Sequence, residues 1–345
     1  MNIEETDEIL EAFGLAAATI EPFGNGLVNR TWKVLSPKGN YILQKINDSI
    51  FKKPQYIANN IGLIASYLRK NHPDYFFVSP VNTVDGKAIF YREKKGWFRL
   101  MPFVEGSLTF DVVDSTKQAY EAARQFGRFT RMLSGFDTGK LKVTVPGFHD
   151  LHLRYRHFLK AVHNGSQQKI KESKDLISEL IEQKLIVDEY RNLIRNSKFR
   201  LRVTHHDTKI SNVLFDQDNR GLCVIDLDTV MPGYFVSDVG DMMRTYLSPV
   251  GEEERDLEKI TIRNEFYGAV VDGYNSEMGD DLTELERKSF LFAGKFMIYM
   301  QALRFLTDHL NNNIYYGSKY EGHNLIRAGN QATLLKRLSQ LKVTT

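Results

Sequence analysis

The stretch VTHHDTKISNVLFDQDNRGLCVIDLDT, residues 203–229, concentrates polar side chains at the ends of two short apolar runs. Asp207 and Asn212 precede the first run, and Asp226 and Asp228 follow the second. A carboxylate beside a substrate hydroxyl can accept its proton as the oxygen attacks. Carboxylate and amide oxygens also suit a hard cation such as Mg²⁺. The stretch therefore predicts a site that combines a proton acceptor with a divalent cation.

The order and spacing of these residues indicate phosphoryl transfer. Asp207 and Asn212 are five positions apart, as are the aspartate and asparagine of a protein-kinase catalytic loop. Asp226 ends an apolar strand 14 residues past Asn212, where a kinase has its metal-binding aspartate. Either half alone would more often be structural, with its polar residues forming turns or caps. The two halves in order, with a strand between them, favour the kinase interpretation.

A two-metal hydrolase is the second interpretation of the same stretch. Its ligands would be the histidines and aspartates His205, His206, Asp207, Asp226 and Asp228. Adjacent histidines point to opposite sides of an extended chain, and the sequence contains no HExxH pair. We therefore rank hydrolysis below phosphoryl transfer.

Length and composition indicate an ordinary globular protein. The 345 residues exceed what one small core usually absorbs, so two lobes are expected. The 46 basic and 43 acidic residues are interspersed, which predicts neither a nucleic-acid nor a membrane-surface partner. The lone Cys223 rules out an internal disulfide and a cysteine-rich zinc site. The acidic N-terminus lacks an apolar signal region, so we expect a cytoplasmic protein, monomeric or homodimeric.

The first hundred residues are predicted to be mainly β-structure. Residues 21–36 form two strands around a glycine-containing turn, and residues 41–46 alternate as a third strand. Residues 56–68 have apolar positions at helical spacing. A hairpin is predicted around Asp85-Gly86, and a further strand begins at Gly96 and ends in a loop near Gly106.

The remainder is predicted to be mainly helical. Helices are expected at residues 115–133, with Ser115 as the cap, and at 150–195 with a break near 163–166. Three short strands follow between residues 202 and 227, and long amphipathic helices cover 282–310 and 324–341. The pattern predicts an α+β protein with a β-rich N-terminal lobe, 1–104, and a mainly α-helical C-terminal lobe, 105–345.

Several motifs in order resemble the aminoglycoside phosphotransferase and choline kinase group of small-molecule kinases. The matching segments are GNGLVNRTWKV, YILQKIN, VPGFHD, HHDTKISNVLF, VIDLDTVMPG, DVGDMMR and RFLTDHL. Within that group the chain looks most like bacterial N-acetylhexosamine 1-kinases. The resemblance implies a two-lobed protein-kinase-like fold, ATP and Mg²⁺ as cofactors, and a small-molecule acceptor.

The resemblance also implies roles for individual residues. Asp207 would be the catalytic base. The Mg²⁺ ligands would be Asn212 and Asp226, with Asp228 as a candidate second ligand or supporting residue. The nucleotide contacts would be Gly24, Asn25 and Gly26 in the turn over the phosphates, Gln44 or Lys45 on the third strand, Met101 and Phe103 at the hinge, and Lys209 near the transferred phosphate.

Two departures from the kinase pattern stand in the first lobe. The position of the usual third-strand lysine is occupied by Gln44, with Lys45 beside it, and only one of the two can face the phosphates. The following helix has no glutamate to complete the usual Lys–Glu pair, and Asn59 or Asn60 occupies that region.

The acceptor is expected to bind in the helical lobe. The resemblance suggests His149, Asp150, Arg154, Arg304, Asp308, Tyr315 and Tyr316 as its contacts. On spacing alone, Arg304 and Asp308 would be a surface ion pair on one helix face. The expected reaction is phosphorylation of the anomeric hydroxyl of GlcNAc or GalNAc. The alternatives are the same chemistry on choline, ethanolamine, an amino acid or an aminoglycoside, or a nucleotide-binding module that has lost catalysis.

Overall fold

The computed structural model describes residues 3–16, 18–24 and 28–341, which form two compact units. The first unit comprises residues up to 109, residues 132–146 and residues 212–232. The second comprises residues 110–131, residues 147–211 and the chain from 233 onward. The division into lobes 1–104 and 105–345 stays a prediction.

Strands and helices follow one another in the mixed α+β order that the sequence indicated. The strands are β1 (Thr19–Pro22), β2 (Arg30–Ser36), β3 (Gly39–Ile46), β4 (Phe90–Arg92), β5 (Gly96–Pro102), β6 (Arg202–Thr204), β7 (Val213–Phe215), β8 (Gly221–Val224) and β9 (Met231–Gly233). The helices are α1 (Ile3–Ala12), α2 (Pro54–Asn71), α3 (Thr116–Met132), α4 (Leu151–Asn164), α5 (Gln167–Glu172), α6 (Lys174–Glu182), α7 (Leu185–Arg195), α8 (Phe235–Tyr246), α9 (Asn264–Met278), α10 (Glu284–Arg287), α11 (Phe290–Leu310) and α12 (His323–Ser339).

The first unit is built on an antiparallel sheet of order β1-β2-β3-β5-β4. Because side chains alternate along each strand, one face is apolar and packs against α1. The core on that face is formed by Ile9, Leu10, Phe13, Leu15, Val34, Leu43, Phe98 and Leu100. The predicted strands and the helix at 56–68 are confirmed by this arrangement.

A second, smaller core joins the β7–β8 hairpin to the end of the sheet. Leu214 and Cys223 on the hairpin are buried with Val78, and Met101 and Val104 pack beside them. Cys223 is thus a buried small hydrophobe, as its apolar surroundings in the sequence suggest.

The prediction of a hairpin around Asp85-Gly86 was wrong beyond its turn. Gly86 has a φ of 82°, which provides the turn. The flanking segments, however, pair with β5 rather than with each other as strands, since Val81 bridges Leu100 and β4 lies along β5. A turn motif in the sequence predicts the turn, but it does not predict which strand the flanking segments pair with.

The second unit packs its helices around α11, which is buried along most of its length. α4, α8 and α12 lie against it. Ser115 caps α3 as predicted, accepting from the backbone N–H of Gln118 at 3.2 Å. The helix predicted at 282–310 is interrupted at Lys288 and Ser289, which separate the short α10 from α11, and α10 begins at a capping box formed by Thr283 and Glu286. No helix among the described residues is both long enough and apolar enough to cross a lipid bilayer.

Candidate active site

The predicted catalytic loop begins directly after β6 in the second unit. Asp207 is partly exposed, and its Oδ2 lies 3.2 Å from Lys209 Nζ. His206, just before it, has a φ of 66°, a left-handed conformation that turns the chain sharply. The loop thus presents a carboxylate and an ammonium group side by side.

Two carboxylates of α8 hold this loop. Asp238 accepts hydrogen bonds from the backbone N–H groups of His205, at 3.0 Å, and His206, at 2.7 Å. Asp241 accepts from the backbone N–H of Thr208 at 2.8 Å, while the Thr208 hydroxyl donates to the Asp238 carbonyl at 2.7 Å. Asp207 is therefore flanked on both sides by backbone that is fixed to one helix.

The two histidines occupy different surroundings. His205 is fully buried and packs edge-on against Phe126 and Phe129 of α3. His206 packs against Phe148 and His149. They do not converge on a common metal, which agrees with the low rank given to hydrolysis.

Asn212 and Asp226 lie at the same end of the β7–β8 hairpin in the first unit. Val213 pairs with Val224 in antiparallel register, so the residues just outside this pair come together. The backbone N–H of Ile225 donates to the Asn212 carbonyl at 2.9 Å. Asp226 is exposed and has a φ of 57°. One amide and one carboxylate at this end fit a Mg²⁺ that keeps most of its water and phosphate ligands.

Asp228 has different surroundings from Asp226, two residues away. Its side chain is buried and forms an ion pair with Arg99 of β5. Its second oxygen accepts from Asn29 Nδ2 at 2.7 Å. Its role as a candidate second metal ligand stays a prediction, but both carboxylate oxygens already have protein partners.

Gln44 and Lys45 lie on opposite faces of the sheet. Gln44 pairs in register with Arg99, and its Oε1 accepts from Arg99 Nε at 2.9 Å. Lys45 pairs with Phe98, whose side chain belongs to the apolar face, and the Lys45 stem runs toward Gly96. The residue that shares a face with Met101 is therefore Gln44.

Phe103, at the predicted hinge, and Gly24, in the predicted glycine turn, both belong to the first unit. The Lys33 ammonium sits 4.2 Å above the Phe103 ring, and Phe23 contacts the same ring edge-on at 5.9 Å. Gly24 is exposed with a φ of 69°. Asn25 and Gly26 lie outside the described residues, so the predicted phosphate turn is described only at its first position.

Most of the predicted acceptor residues cluster beside His206 in the second unit. Phe148 stacks on His149 with centroids 4.4 Å apart, and His149 meets His206 edge-on at 5.2 Å. The Arg304 guanidinium lies 5.3 Å from the Phe148 ring and 5.7 Å from the Tyr315 ring. These contacts form a continuous aromatic surface that leads to the residue before Asp207.

Both carboxylates among the acceptor candidates accept hydrogen bonds from backbone amides. Asp308 accepts from the backbone N–H groups of Tyr315, at 2.7 Å, and Tyr316, at 2.9 Å. Asp150 caps α4 by accepting from the backbone N–H of Leu153 at 3.0 Å. The surface ion pair of Arg304 with Asp308 is not formed, because Asp308 is buried and anchors the loop after α11. Arg304 donates instead to Gln301 Oε1 at 3.0 Å.

The remaining candidates give the cluster a positive or neutral character. Burial lowers the pKa of Arg154, and the nearby Arg304 lowers it further. Burial also places the pKa of His149 well below its usual range, an effect reinforced by His206, Arg304 and Arg154. The His149 ring is therefore neutral at pH 7. Neither arginine forms an ion pair with a carboxylate in the part of the chain that the structure describes.

The sequence match that decides the family covers most of the chain. Residues 19–274 match the phosphotransferase enzyme family, APH. The chain belongs to this family. Its kinase-like fold is shared with solved structures of low identity. A microcompartment-associated aminopropanol kinase is 16% identical with a TM-score of 0.64, over 98% of this chain and 97% of the other.

Two further phosphotransferase structures have the same fold. Amicoumacin kinase hAmiN, solved with AMP-PNP, Ca²⁺ and Ami, is 15% identical with a TM-score of 0.64, over 97% of this chain and 94% of the other. Spectinomycin phosphotransferase APH(9)-Ia, solved with ADP and spectinomycin, is 14% identical with a TM-score of 0.60, over 99% of both chains.

Asp238 and Asp241 are site residues that sequence reasoning on this phosphotransferase missed. Both are buried, and burial raises their pKa values. The signal was present in the segment DVGDMMR, where two acids three apart stand among valine, glycine and methionine residues. Within the described residues, no group of three or more His, Cys, Asp or Glu side chains is arranged to hold a metal ion. A kinase-type Mg²⁺ site needs fewer protein ligands than that.

Proposed function

We propose that this phosphotransferase is an ATP- and Mg²⁺-dependent kinase that phosphorylates the anomeric hydroxyl of an N-acetylhexosamine. The observation that carries the proposal is the character of the cluster beside His206. It offers aromatic rings, two arginines and a neutral histidine, and its two carboxylates are bound to backbone amides.

This cluster favours a neutral acceptor over a cationic one. A site for choline, ethanolamine or an aminoglycoside needs carboxylates or a cage of aromatic rings to balance a positive charge. Here Arg304 already occupies the space over the Phe148 and Tyr315 rings. Arginines suit a hydroxylated ring with an amide substituent, because guanidinium groups donate hydrogen bonds to hydroxyl and carbonyl oxygens.

Asp207 is the residue proposed to accept the proton of the attacking hydroxyl. An anomeric hydroxyl is more acidic than an ordinary alcohol, so a carboxylate of modest basicity suffices. The hydrogen bonds from the loop backbone to Asp238 and Asp241 keep this carboxylate in place before the acceptor arrives. Lys209, 3.2 Å from Asp207, adds a positive charge near the reacting groups.

Asn212 and Asp226 are the residues proposed to hold Mg²⁺. Their oxygen donors and their position at one end of the β7–β8 hairpin fit that ion. When bound with ATP, the metal offsets the charge of the phosphates, which is the main chemical aid that phosphoryl transfer needs. Gln44 and Met101 share the sheet face on which the nucleotide is proposed to lie.

The test measures ATP consumption with Mg²⁺ against a panel of N-acetylhexosamines, other sugars, choline, ethanolamine, aminopropanol and amino acids. Wild type is compared with Asp207→Asn and with Asp218→Asn, a matched control on an exposed turn. Phosphorus NMR identifies the product. We expect a sugar 1-phosphate from wild type and the control, and a loss of about 10²- to 10⁴-fold in Asp207→Asn.

The other results separate the parts of the proposal. If only an amine or an amino acid is phosphorylated, the kinase activity is supported and the sugar is excluded as the acceptor. Equal turnover by wild type and Asp207→Asn would remove Asp207 as the base. Nucleotide binding without turnover on any acceptor would favour a non-catalytic module.

A further inference from the structure

The first unit contains a buried ion pair that takes no direct part in the proposed reaction. The side chains of Arg99, on β5, and Asp228, in the turn after β8, are each 3% exposed, and Arg99 Nη1 donates to Asp228 Oδ1. Burying two charges costs desolvation energy, so such a pair is a weak way to gain stability alone. Its value is more often to fix a particular geometry.

The sheet fixes the arginine on its other side. Thr31, Gln44 and Arg99 are consecutive partners across β2, β3 and β5. Gln44 accepts from Arg99 Nε at 2.9 Å and donates to Thr31 Oγ1 at 3.3 Å. The guanidinium is thus held in a row of hydrogen bonds that crosses three strands and ends at Asp228.

The turn itself is held at two positions, while Asp226 is exposed. Asn29 donates to the second oxygen of Asp228 at 2.7 Å. Asn60 of α2, fully buried, donates to the Val230 carbonyl at 2.9 Å and to the Lys142 carbonyl at 2.7 Å. Residues 226–230 are therefore clamped at 228 and 230.

These contacts account for the two departures from the kinase pattern. In protein kinases a third-strand lysine pairs with a helix glutamate. Here Gln44 and Asn60 stand in those regions, and the buried ion pair joins β5 to the metal-binding turn instead. We propose that Arg99 is a positioning residue, which through Asp228 holds the 226–230 turn so that Asp226 can bind Mg²⁺. This rests on the proposed function in so far as Asp226 is the metal ligand.

The test titrates ADP calorimetrically into the full-length protein, with and without Mg²⁺. The variants are Arg99→Lys, Asp228→Asn and Arg92→Met, the last a matched control because Arg92 is a sheet arginine whose partner Glu8 is exposed. We expect the gain in ADP affinity on adding Mg²⁺ to fall by about 10- to 100-fold in the first two, as for residues that support a metal ligand. ADP affinity without Mg²⁺ should stay near wild type, and the control should match wild type in both.

A purely structural role gives a different result. If the Arg99 and Asp228 variants only melt at a lower temperature, and Mg²⁺ raises their ADP affinity as much as in wild type, the inference is overturned. If they do not fold, Asn29→Ala replaces them, since it removes one hydrogen bond of Asp228 and should weaken the Mg²⁺ gain several-fold; an unchanged gain would again overturn the inference.

The experiment also separates this inference from the proposed function. If the wild type binds ADP in a Mg²⁺-dependent way but phosphorylates no sugar, the proposed acceptor is contradicted. The positioning role of Arg99 would still stand. A wild type that binds no ADP would overturn both.

Discussion

At the scale of the residue, Asp238 is a buried carboxylate that holds the predicted catalytic loop. It sits outside the loop, yet it accepts from two of its backbone N–H groups. Burial raises its pKa to about 7, although these two donors pull the pKa down. The carboxylate is thus poised between its charged and neutral forms at ordinary pH, and this has a consequence for stability.

We expect Asp238 to make the free energy of unfolding fall as the pH rises from about 4 to about 7. Its folded pKa lies above its unfolded value near 3.9, so in that window the folded state keeps a proton that the unfolded state has lost. Above about pH 7 the contribution is constant. Urea unfolding of wild type and Asp238→Asn at pH 5, 6, 7 and 8 measures the difference.

The stability of Asp238→Asn relative to wild type should rise from pH 5 to pH 7 and then level off. Asp280→Asn, on an exposed position, is the control and should run parallel to wild type. If the Asp238→Asn curve is also parallel to wild type, Asp238 does not titrate in this window.

Single residues also show what a sequence can and cannot predict. Asp207, Asn212 and Asp226 could be singled out as candidates because their spacing is local and each follows or precedes a short strand, and their roles stay predictions. Arg99 and Asp228 are 129 positions apart, and periodicity does not say which buried cation meets which carboxylate. Alternation along β3 predicted that Gln44 and Lys45 face opposite ways, but only the position of α1 decides which face is covered.

At the scale of the element, α8 and α11 pack so closely that a glycine is needed between them. Gly240 lies on α8, and a Cβ there would be 2.8 Å from Met297 Cβ and closer still to the Ala293 carbonyl oxygen. α8 also carries Asp238 and Asp241, so its depth against α11 sets where the catalytic loop is held. Hydrophobic spacing predicted the helix that contains α11, but not how near it approaches α8.

We expect Gly240→Ala to lower the free energy of unfolding by about 1–3 kcal/mol, because the added methyl group forces the two helices apart. Gly268→Ala on α9 is the matched control, since its Cβ would meet nothing within 4 Å. That substitution should raise stability by about 0.5–1 kcal/mol through the unfolded chain. Denaturant unfolding of both variants tests the difference, and equal effects would show that the close approach is not what requires glycine.

At the scale of the whole molecule, positive and negative charges nearly balance, and the second unit brings some of them together inside. Glu252 forms ion pairs with Arg244 of α8, at 2.9 Å, and with Arg327 of α12. Arg244 also pairs with Asp241, which holds the catalytic loop. Neither composition nor local pattern could predict this network, because its members come from three separate stretches of the chain.

We expect Glu252→Gln to lower the free energy of unfolding at pH 7 by about 2 kcal/mol, since it leaves two largely buried arginines short of a countercharge. Burial would raise the pKa of Glu252, but Arg244 and Arg327 more than offset it, so the folded pKa lies below the unfolded value. The contribution of Glu252 is therefore present above the unfolded pKa of about 4.3 and is lost as the pH falls through the folded pKa.

Glu284→Gln removes an exposed pair with Lys288 and is the control, with an expected change in the free energy of unfolding of at most about 0.5 kcal/mol. Urea unfolding at pH 7 and pH 4 should show the gap between wild type and Glu252→Gln narrowing at the lower pH, and a gap that widens on acidification would contradict a charge-based role for Glu252.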